Sequence, residues 1–430
     1  MATFRFTAGP WNIHEGNETF GPGHRKSIPL EEKMKKYAEI GLAGMQFHDD
    51  DAVPDMNNMT EKQIIDYAKD VKAMLDKYGL FAEFVAPRLW FDKRTNDGGF
   101  TASRKEDREF AQWRARRSCD IAKALGTKKI QLWLAREGTL CAEGKNPVEM
   151  TLQLRDAFND ILTYRDDALI LVEPKPNEPI DRSICGTAGH ALAVGAYTVD
   201  PNRVGLCIES AHSILAGLDP ANDMGFALAL NKLWGVHLND QNGCRYDQDK
   251  SFGVDNLRNA FNQVKVLYEN NYGDRGNFEC VGLDVKAMRT QPDEDCYRHL
   301  INSKKIFEKL LAKVKRFDYE FQAACVKEHG AALLPGALTD TMVLPLLRSG
   351  ALRSCRLVVK DPSKVLLSAD TLDKLAVREV ALETEEAART LCITVNPVSA
   401  YGWKFDKDDF LHRMREAVDV PVINVKEELA

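Results

Sequence analysis

The chain has 430 residues, a net charge of −6 and a pI near 5.9, with 44% apolar and 28% charged residues. Such a composition belongs to a soluble globular protein with one large core or two smaller ones, and the acidic balance argues against a nucleic-acid surface. No apolar run approaches the roughly 18 residues of a membrane span, no basic-then-apolar leader opens the chain, and the ten cysteines are scattered with no CxxC pair, so a cytoplasmic protein with reduced thiols and no membrane partner is expected.

From the start to about residue 315 the sequence alternates short β-rich runs with longer amphipathic ones. Strands are expected at residues 4–8, 44–47, 81–86, 129–132, 169–173, 204–208, 233–238 and 278–284. Helices are expected at 30–40, 60–78, 105–125, 148–164, 254–268 and 294–311. Eight such βα units over about 300 residues predict an α/β fold, a closed (β/α)8 TIM barrel over residues 1–315. A doubly wound open sheet is the alternative, but no GxGxxG follows a first strand. After about residue 315 the pattern changes. Strands at 354–359, 364–368, 391–395 and 420–425 and helices at 371–375, 383–391 and 408–417 suggest that residues 316–430 form a small appended α/β module or an oligomerisation tail.

The chemistry-bearing residues fall at expected strand ends. The apolar run Leu169–Val172 leads into Glu173-Pro174-Lys175-Pro176-Asn177-Glu178-Pro179. Residues two apart in a strand share a side, so Glu173 and Lys175 can reach one site, and the prolines forbid a helix there. His48 follows the second strand, Glu209 ends the sixth, with His212 three residues on, His237 ends the seventh and Asp284 ends the eighth. Asp247 and Asp249 put two carboxylates on one side of a loop. Barrel active sites form at the C-terminal ends of strands. Glu173, Glu209, Asp247, Asp249 and Asp284 with His212 and His237 make seven potential ligands, too many for one small ion. Two divalent ions sharing Glu209 would use them all. The carboxylate-rich set suits Mg²⁺ or Mn²⁺, with Co²⁺ also compatible. Singly, each residue has a plainer reading: His237 a hydrogen-bonded core histidine, Asp247 and Asp249 a solvated loop, and Asp284 an ion pair with the nearby Lys286. Together at successive strand ends, they point to a metal site.

These segments, in this order, resemble xylose isomerase of the shorter bacterial type over roughly residues 4–310. The anchors are Phe47-His48-Asp49-Asp50-Asp51, Asp97-Gly98-Gly99-Phe100-Thr101, Trp133 with Arg136-Glu137-Gly138, the Glu-Pro-Lys-Pro-Asn-Glu-Pro run, and Gln241-Asn242-Gly243 leading to Tyr246-Asp247-Gln248-Asp249. The resemblance implies a sugar isomerase with two divalent ions per chain. Glu173, Glu209 and Asp284 would hold a structural ion, and Glu209, His212, Asp247 and Asp249 a catalytic one. Lys175 would hydrogen-bond the substrate carbonyl, and His48, oriented by Asp51, would assist ring opening. Trp11 and Trp133 would wall the sugar pocket, and Phe20 would complete the site of a neighbouring subunit in a homodimer or homotetramer. The chain departs from the pattern at His237, where the family has Asp; related barrel isomerases, including rhamnose isomerases, carry His in a similar His-x-Asn-Asp strand end. It also departs at Ala86, Arg88 and Trp90, where the family has a small hydroxyl residue, Asn and Phe. Arg88 brings a full charge to the pocket wall, answered either by an internal carboxylate (Asp51, Asp92 or Glu83) or by an anionic or strongly hydroxylated sugar tail.

The resulting expectation is an aldose–ketose isomerase of D-xylose or a related sugar. Hydrogen would move between C1 and C2 as hydride, with proton transfer through an enediol as the other route. A one-metal sugar epimerase would need two opposed carboxylate bases. A phosphodiester-cleaving barrel nuclease would need more histidines and a basic groove, and a non-catalytic binding protein would not need every ligand.

Overall fold

The structure is a computed structural model that describes residues 3–16, 22–243, 246–276, 278–288 and 290–319, with short stretches between 331 and 424. The chain divides into two compact units, residues 1–315 and 316–430.

In the first unit eight parallel strands close into a barrel. They are β1 (Phe6–Ala8), β2 (Gly44–His48), β3 (Phe81–Ala86), β4 (Lys129–Trp133), β5 (Leu169–Glu173), β6 (Val204–Glu209), β7 (Leu233–His237) and β8 (Cys280–Gly282). Each pairs with its neighbours in chain order, and β1 closes the ring against β8 through Phe6–Val281 and Thr7–Gly282. One outer helix follows each strand: α1 (Leu30–Ile40), α2 (Glu61–Lys77), α3 (Lys105–Leu125), α4 (Pro147–Tyr164), α5 (Ala188–Ala196), α6 (Pro220–Ala229), α7 (Leu257–Glu269) and α8 (Arg298–Val314). The sequence therefore builds the (β/α)8 barrel it predicts.

The element boundaries have local causes. Thr60 opens α2 with a capping box: its hydroxyl accepts from Gln63 N–H, and Gln63 returns the favour to Thr60 N–H at 2.8 Å. Gly41 and Gly126 end α1 and α3 at φ 78° and 83°, where a side chain would be strained. Helices α5 and α6 are absent from the sequence expectation. Both are rich in alanine and glycine, so they lack a strong apolar stripe, although Thr187 and the Asp219-Pro220 pair cap them well. Strand β8 is shorter than residues 278–284, which leaves Asp284 two residues beyond it.

The hydrophobic core lies between barrel and helices, around Met45, Phe47, Val71, Phe158, Val236 and Phe307, all fully buried. Each such side chain contributes roughly 1.5–3 kcal/mol. The barrel interior is different. At its lower end the Lys129 ammonium donates to the carbonyls of Trp234 (2.7 Å) and Phe278 (2.9 Å). Above it Thr7 and Gln46 both donate to buried Glu83, at 2.5 and 2.9 Å, and Gln131 reaches upward from β4. A polar interior thus lies beneath the strand ends.

The second unit contains three parallel strands, Ala331–Leu333, Arg356–Val359 and Ala381–Thr384, paired in that order. Leu338–Thr339 pairs in parallel with Val365–Leu366, and Ile393–Val395 with Val422–Asn424. Ala369–Val377 is helical, as the sequence suggests. The expected helix at 383–391 is corrected at its start, because Glu383 and Thr384 pair with Val358 and Val359 in the sheet. Strand pairing overrides the local helix preference of this Glu- and Ala-rich stretch. The rest of that helix and the one expected at 408–417 lie outside the described residues, apart from His412.

Candidate active site

The C-terminal end of the barrel holds a cavity of about 270 Å³. Its two sides come from different strands. Strands β1–β4 and the turns after them supply an aromatic wall. Trp11 stands in the turn after β1, His48 ends β2, Arg88 and Trp90 follow β3, and Trp133 ends β4. The Trp11 and His48 rings lie 4.2 Å apart, Trp90 meets His48 edge-on at 5.1 Å, and Trp90 meets Trp133 edge-on at 4.5 Å. Arg136 fixes this wall by donating to the Trp90 carbonyl at 2.9 Å.

Strands β5–β8 supply the charged side. Glu173, Glu209 and His237 are the last residues of β5, β6 and β7, and Asp284 follows β8. Donor atoms of these four residues all lie within 4.8 Å of one another. A second group, Glu209, His212 and Asp247, is equally compact, so Glu209 belongs to both. The short helix Ser210–Leu215 carries His212 back over the strand end. Its Nε2 is 3.3 Å from Glu209 and 3.1 Å from Asp247. His237 Nδ1 is 3.1 Å from Glu173 and 3.6 Å from Asp284.

Lys175 is buried, as Glu173-Pro-Lys175 predicts, and donates to Asp247 at 2.8 Å while lying 3.2 Å from Glu178 and 4.9 Å from the Trp133 ring. Burial opposes its charge, but Asp247 and Glu178 outweigh that and push its pKa up to about 12, so it stays an ammonium at neutral pH. His48 Nδ1 lies 2.7 Å from Asp51. Burial would raise the Asp51 carboxyl, but His48 and Arg88 bring it down to about 2.

Arg88 finds its partners inside the protein. It lies 2.9 Å from Asp51 and 3.1 Å from Asp50, and Arg114 locks Asp49 through two hydrogen bonds of 2.6 and 2.7 Å. Asp51 is one of the three carboxylates expected as alternatives; Asp50 is an addition, and Asp92 pairs with Arg94 instead.

One expected donor is held apart. Asp249 belongs to neither compact group; Asn239 donates to its Oδ1 at 3.0 Å and the Lys286 ammonium contacts its Oδ2. Lys286 therefore pairs with Asp249, so the plainer reading of Asp284 as its ion-pair partner does not hold and Asp284 joins the first donor group. Phe20 lies outside the described residues.

The sequence reading missed most of the residues that hold the carboxylates in place, and it named Trp11 only as a wall of the pocket. Gln131 donates to Glu173 at 2.6 Å, Asn239 to Glu209 at 2.8 Å, and Trp11 and Asn12 to Asp284 at 2.9 and 2.8 Å. Gln46 lies 3.1 Å from His237 Nε2. For Gln131 and Gln46 the available signal was an uncharged amide flanked by apolar residues within a strand.

The donor set fits divalent metal. Burial and the neighbouring Asp247, Glu173 and Asp284 push the Glu209 carboxyl well above its ordinary range. Glu173 is held low because His237 outweighs burial. Five carboxylates against the two ammoniums Lys175 and Lys286 leave a formal charge of −3 before the histidines are counted. Buried His212 Nδ1 and Asp247 Oδ1 have no hydrogen-bond partner. Unpaired buried acceptors in an acidic cluster are what a cation would satisfy.

Comparison with known proteins agrees with the fold. A D-tagatose 3-epimerase-like protein matches at TM-score 0.53 and 16% identity, over 73% of this chain and 99% of its own. The 3-keto-D-glucoside 4-epimerase YcjR from E. coli matches at TM-score 0.50 and 14% identity, over 70% of this chain and 99% of its own. The IOLI protein, solved with a bound zinc atom, matches at TM-score 0.51 and 13% identity, over 72% of this chain and 99% of its own. At these identities the likeness is one of fold. Residues 34–275, more than half the chain, match the family model described as the xylose isomerase-like TIM barrel. With its closed barrel and its acidic strand ends, the chain belongs to the xylose isomerase-like TIM barrel family.

Proposed function

We propose that the protein is a divalent-metal-dependent aldose–ketose isomerase acting on xylose or a similar small sugar. The observation that carries this reading is the pair of compact donor groups sharing Glu209, with the Lys175 ammonium beside the second. Glu173, Glu209, His237 and Asp284 would hold one ion, and Glu209, His212 and Asp247 a second. When bound, such ions supply Lewis-acid polarisation of sugar oxygens. The chain's own residues do the rest. Lys175 remains charged and donates to the carbonyl oxygen O1, where negative charge develops. Asp51 engages His48 Nδ1, which leaves Nε2 for a ring or hydroxyl oxygen of the sugar. The Trp11, Trp90 and Trp133 rings exclude water while hydrogen passes from C2 to C1, O2 loses a proton and O1 gains one. Product and substrate have the same atoms, so no further reactant is needed.

Arg88 gives no support to an anionic sugar, because Asp50 and Asp51 answer its charge. As part of the same proposal, the protein is a cytoplasmic homodimer or homotetramer. The six described cysteines are unpaired, which suits a reducing compartment, and the resemblance at Phe20 supports shared sites. No described helix is long and apolar enough to cross a membrane.

A second reading, a one-metal sugar epimerase, is favoured by one observation. The first donor group is complete by itself, whereas Asp249 is engaged by Lys286. The two structural neighbours described as epimerases or epimerase-like share this fold. Chelator-stripped protein re-supplied with Mn²⁺, Co²⁺ or Mg²⁺ and offered aldoses and ketoses separates the two. Carbon NMR of the product distinguishes a moved carbonyl from an inverted carbon. Absence of any metal-dependent turnover across pentoses and hexoses would refute the proposal.

A further inference from the structure

Asp249 is the carboxylate that the resemblance assigns to the second ion and that the geometry withholds. Both of its oxygens are engaged, Oδ1 by Asn239 and Oδ2 by Lys286. The backbone reinforces this arrangement. Lys286 N–H donates to the Asp249 carbonyl at 2.9 Å, and Asp249 sits at φ 45°, in the left-handed region that residues other than glycine seldom occupy. Asp247 is the contrast, with a buried oxygen that has no partner. Asp247 keeps one oxygen open to a further cation beside the one that Lys175 contacts, while both oxygens of Asp249 are taken. The Lys286 side chain is 42% exposed against 2% for Asp249. The stem therefore borders the open cavity while the ammonium end rests on buried Asp249, and the flexible chain can swing back into the cavity.

We infer that Lys286 is a tethered competitor for the second divalent ion, neutralising Asp249 while that ion is away and leaving when it binds. The inference rests on the metal-dependent reading above and adds an inequality between the two ions. Among the described residues no lysine or arginine ion-pairs with Glu173, Glu209 or Asp284. The first ion thus displaces no ammonium. The second must displace Lys286 before Asp249 can join Asp247 and His212. Loading is then stepwise, and the second step is the weaker one.

Manganese titration of the chelator-stripped full-length protein tests this, with the free Mn²⁺ signal read by electron paramagnetic resonance and the heat by calorimetry. The native protein should show two unequal steps. Lys286→Met should tighten the weaker step by about 10- to 100-fold, the range that residues around metal ligands usually command, and leave the tighter step unchanged. Lys286→Arg keeps the charge and should keep the inequality. Lys286→Gln provides a second neutral variant should the methionine protein fold poorly, with thermal melts run beside each titration. If the native protein binds two ions and the neutral variants leave the weaker step unchanged or weaken it further, the competitor role is wrong. If the native protein binds no Mn²⁺, the metal-dependent reading falls and this inference with it.

Discussion

Replacing Lys175 by methionine separates the work of the ammonium from the work of the metal donors. Lys175 is 3% exposed, and its charge is answered by Asp247 at 2.8 Å and Glu178 at 3.2 Å. Methionine fills a similar volume without the charge, so the cavity wall under Trp133 persists. Loss of a single positioned donor at a developing oxyanion typically lowers kcat by about 10²–10³-fold, or about 2.7–4 kcal/mol. The effect on metal has the opposite sign. The site goes from a formal −3 to −4, and Asp247 loses its nearest ammonium, so divalent-ion affinity should hold or rise. The expected signature is a large fall in kcat at saturating Mn²⁺, with KM changed little and metal content at or above the native level. Steady-state kinetics with elemental analysis of the same preparation reads both. A variant with near-native kcat removes Lys175 from the chemistry. A variant that loses its metal shows that the ammonium supports the site's structure, and the charge argument is then mistaken.

Other outcomes follow from named contacts. Glu137 accepts hydrogen bonds of 2.7–3.0 Å from the backbone of Gly99, Phe100 and Thr101 and from the Thr101 hydroxyl, so Glu137→Ala should cost about 3–5 kcal/mol in denaturant unfolding. A loss below about 1 kcal/mol would show that this loop finds other partners. Arg88→Asn should leave the order of preference among xylose, hexoses and a sugar acid unchanged, because Asp50 and Asp51 already answer the guanidinium; a reordered ranking refutes this. Buried His299 has its pKa lowered to about 4, chiefly by burial and in spite of the carbonyl of Asn12 at 2.9 Å. The unfolded chain, titrating near 6.5, then binds the extra proton first, so stability falls as pH drops from about 6.5 to 4, by at most about 3 kcal/mol. His299→Gln should flatten that part of the stability–pH curve, and an unchanged slope would place the effect elsewhere. Mn²⁺ at about 100 times its Kd should raise the unfolding free energy by about 2.7 kcal/mol over chelator-treated protein, measured by thermal or denaturant melts.

The barrel was legible in the alternation of eight short β-rich runs with longer amphipathic ones, and the site in the residues that end those runs. Glu173, Glu209 and His237 each follow an apolar run, and the structure gathers them with Asp284 into one group. The three-residue spacing put His212 beside Glu209, and the resemblance put Asp247 with them. The residues that hold those carboxylates were not legible. Gln131, Gln46 and Asn239 are neutral amides whose partners lie 42, 191 and 30 positions away, and no local pattern encodes such pairs. Asp284-Val-Lys286 repeats the two-residue spacing of Glu173-Pro-Lys175, so a cation at the site was foreseeable; its choice of Asp249 depended on how the loop returns. Helices α5 and α6 escaped notice because small residues bury without an apolar stripe.

The division of labour around the barrel rim bears on how such a protein can change. The ring is cut nearly in half: one arc holds the grouped metal donors, the other the aromatic rings that shape the cavity. Substitutions on the shaping arc can retune which molecule fits while the charged arc keeps its donors, so new specificities are reachable one residue at a time. Libraries confined to Trp90 and its loop should yield many folded, metal-competent variants. The arcs meet at Trp11, whose indole N–H donates to Asp284 while its ring lies tilted against His48. A change there alters fit and donor placement together, which makes Trp11 the position where inherited specificity is hardest to exchange.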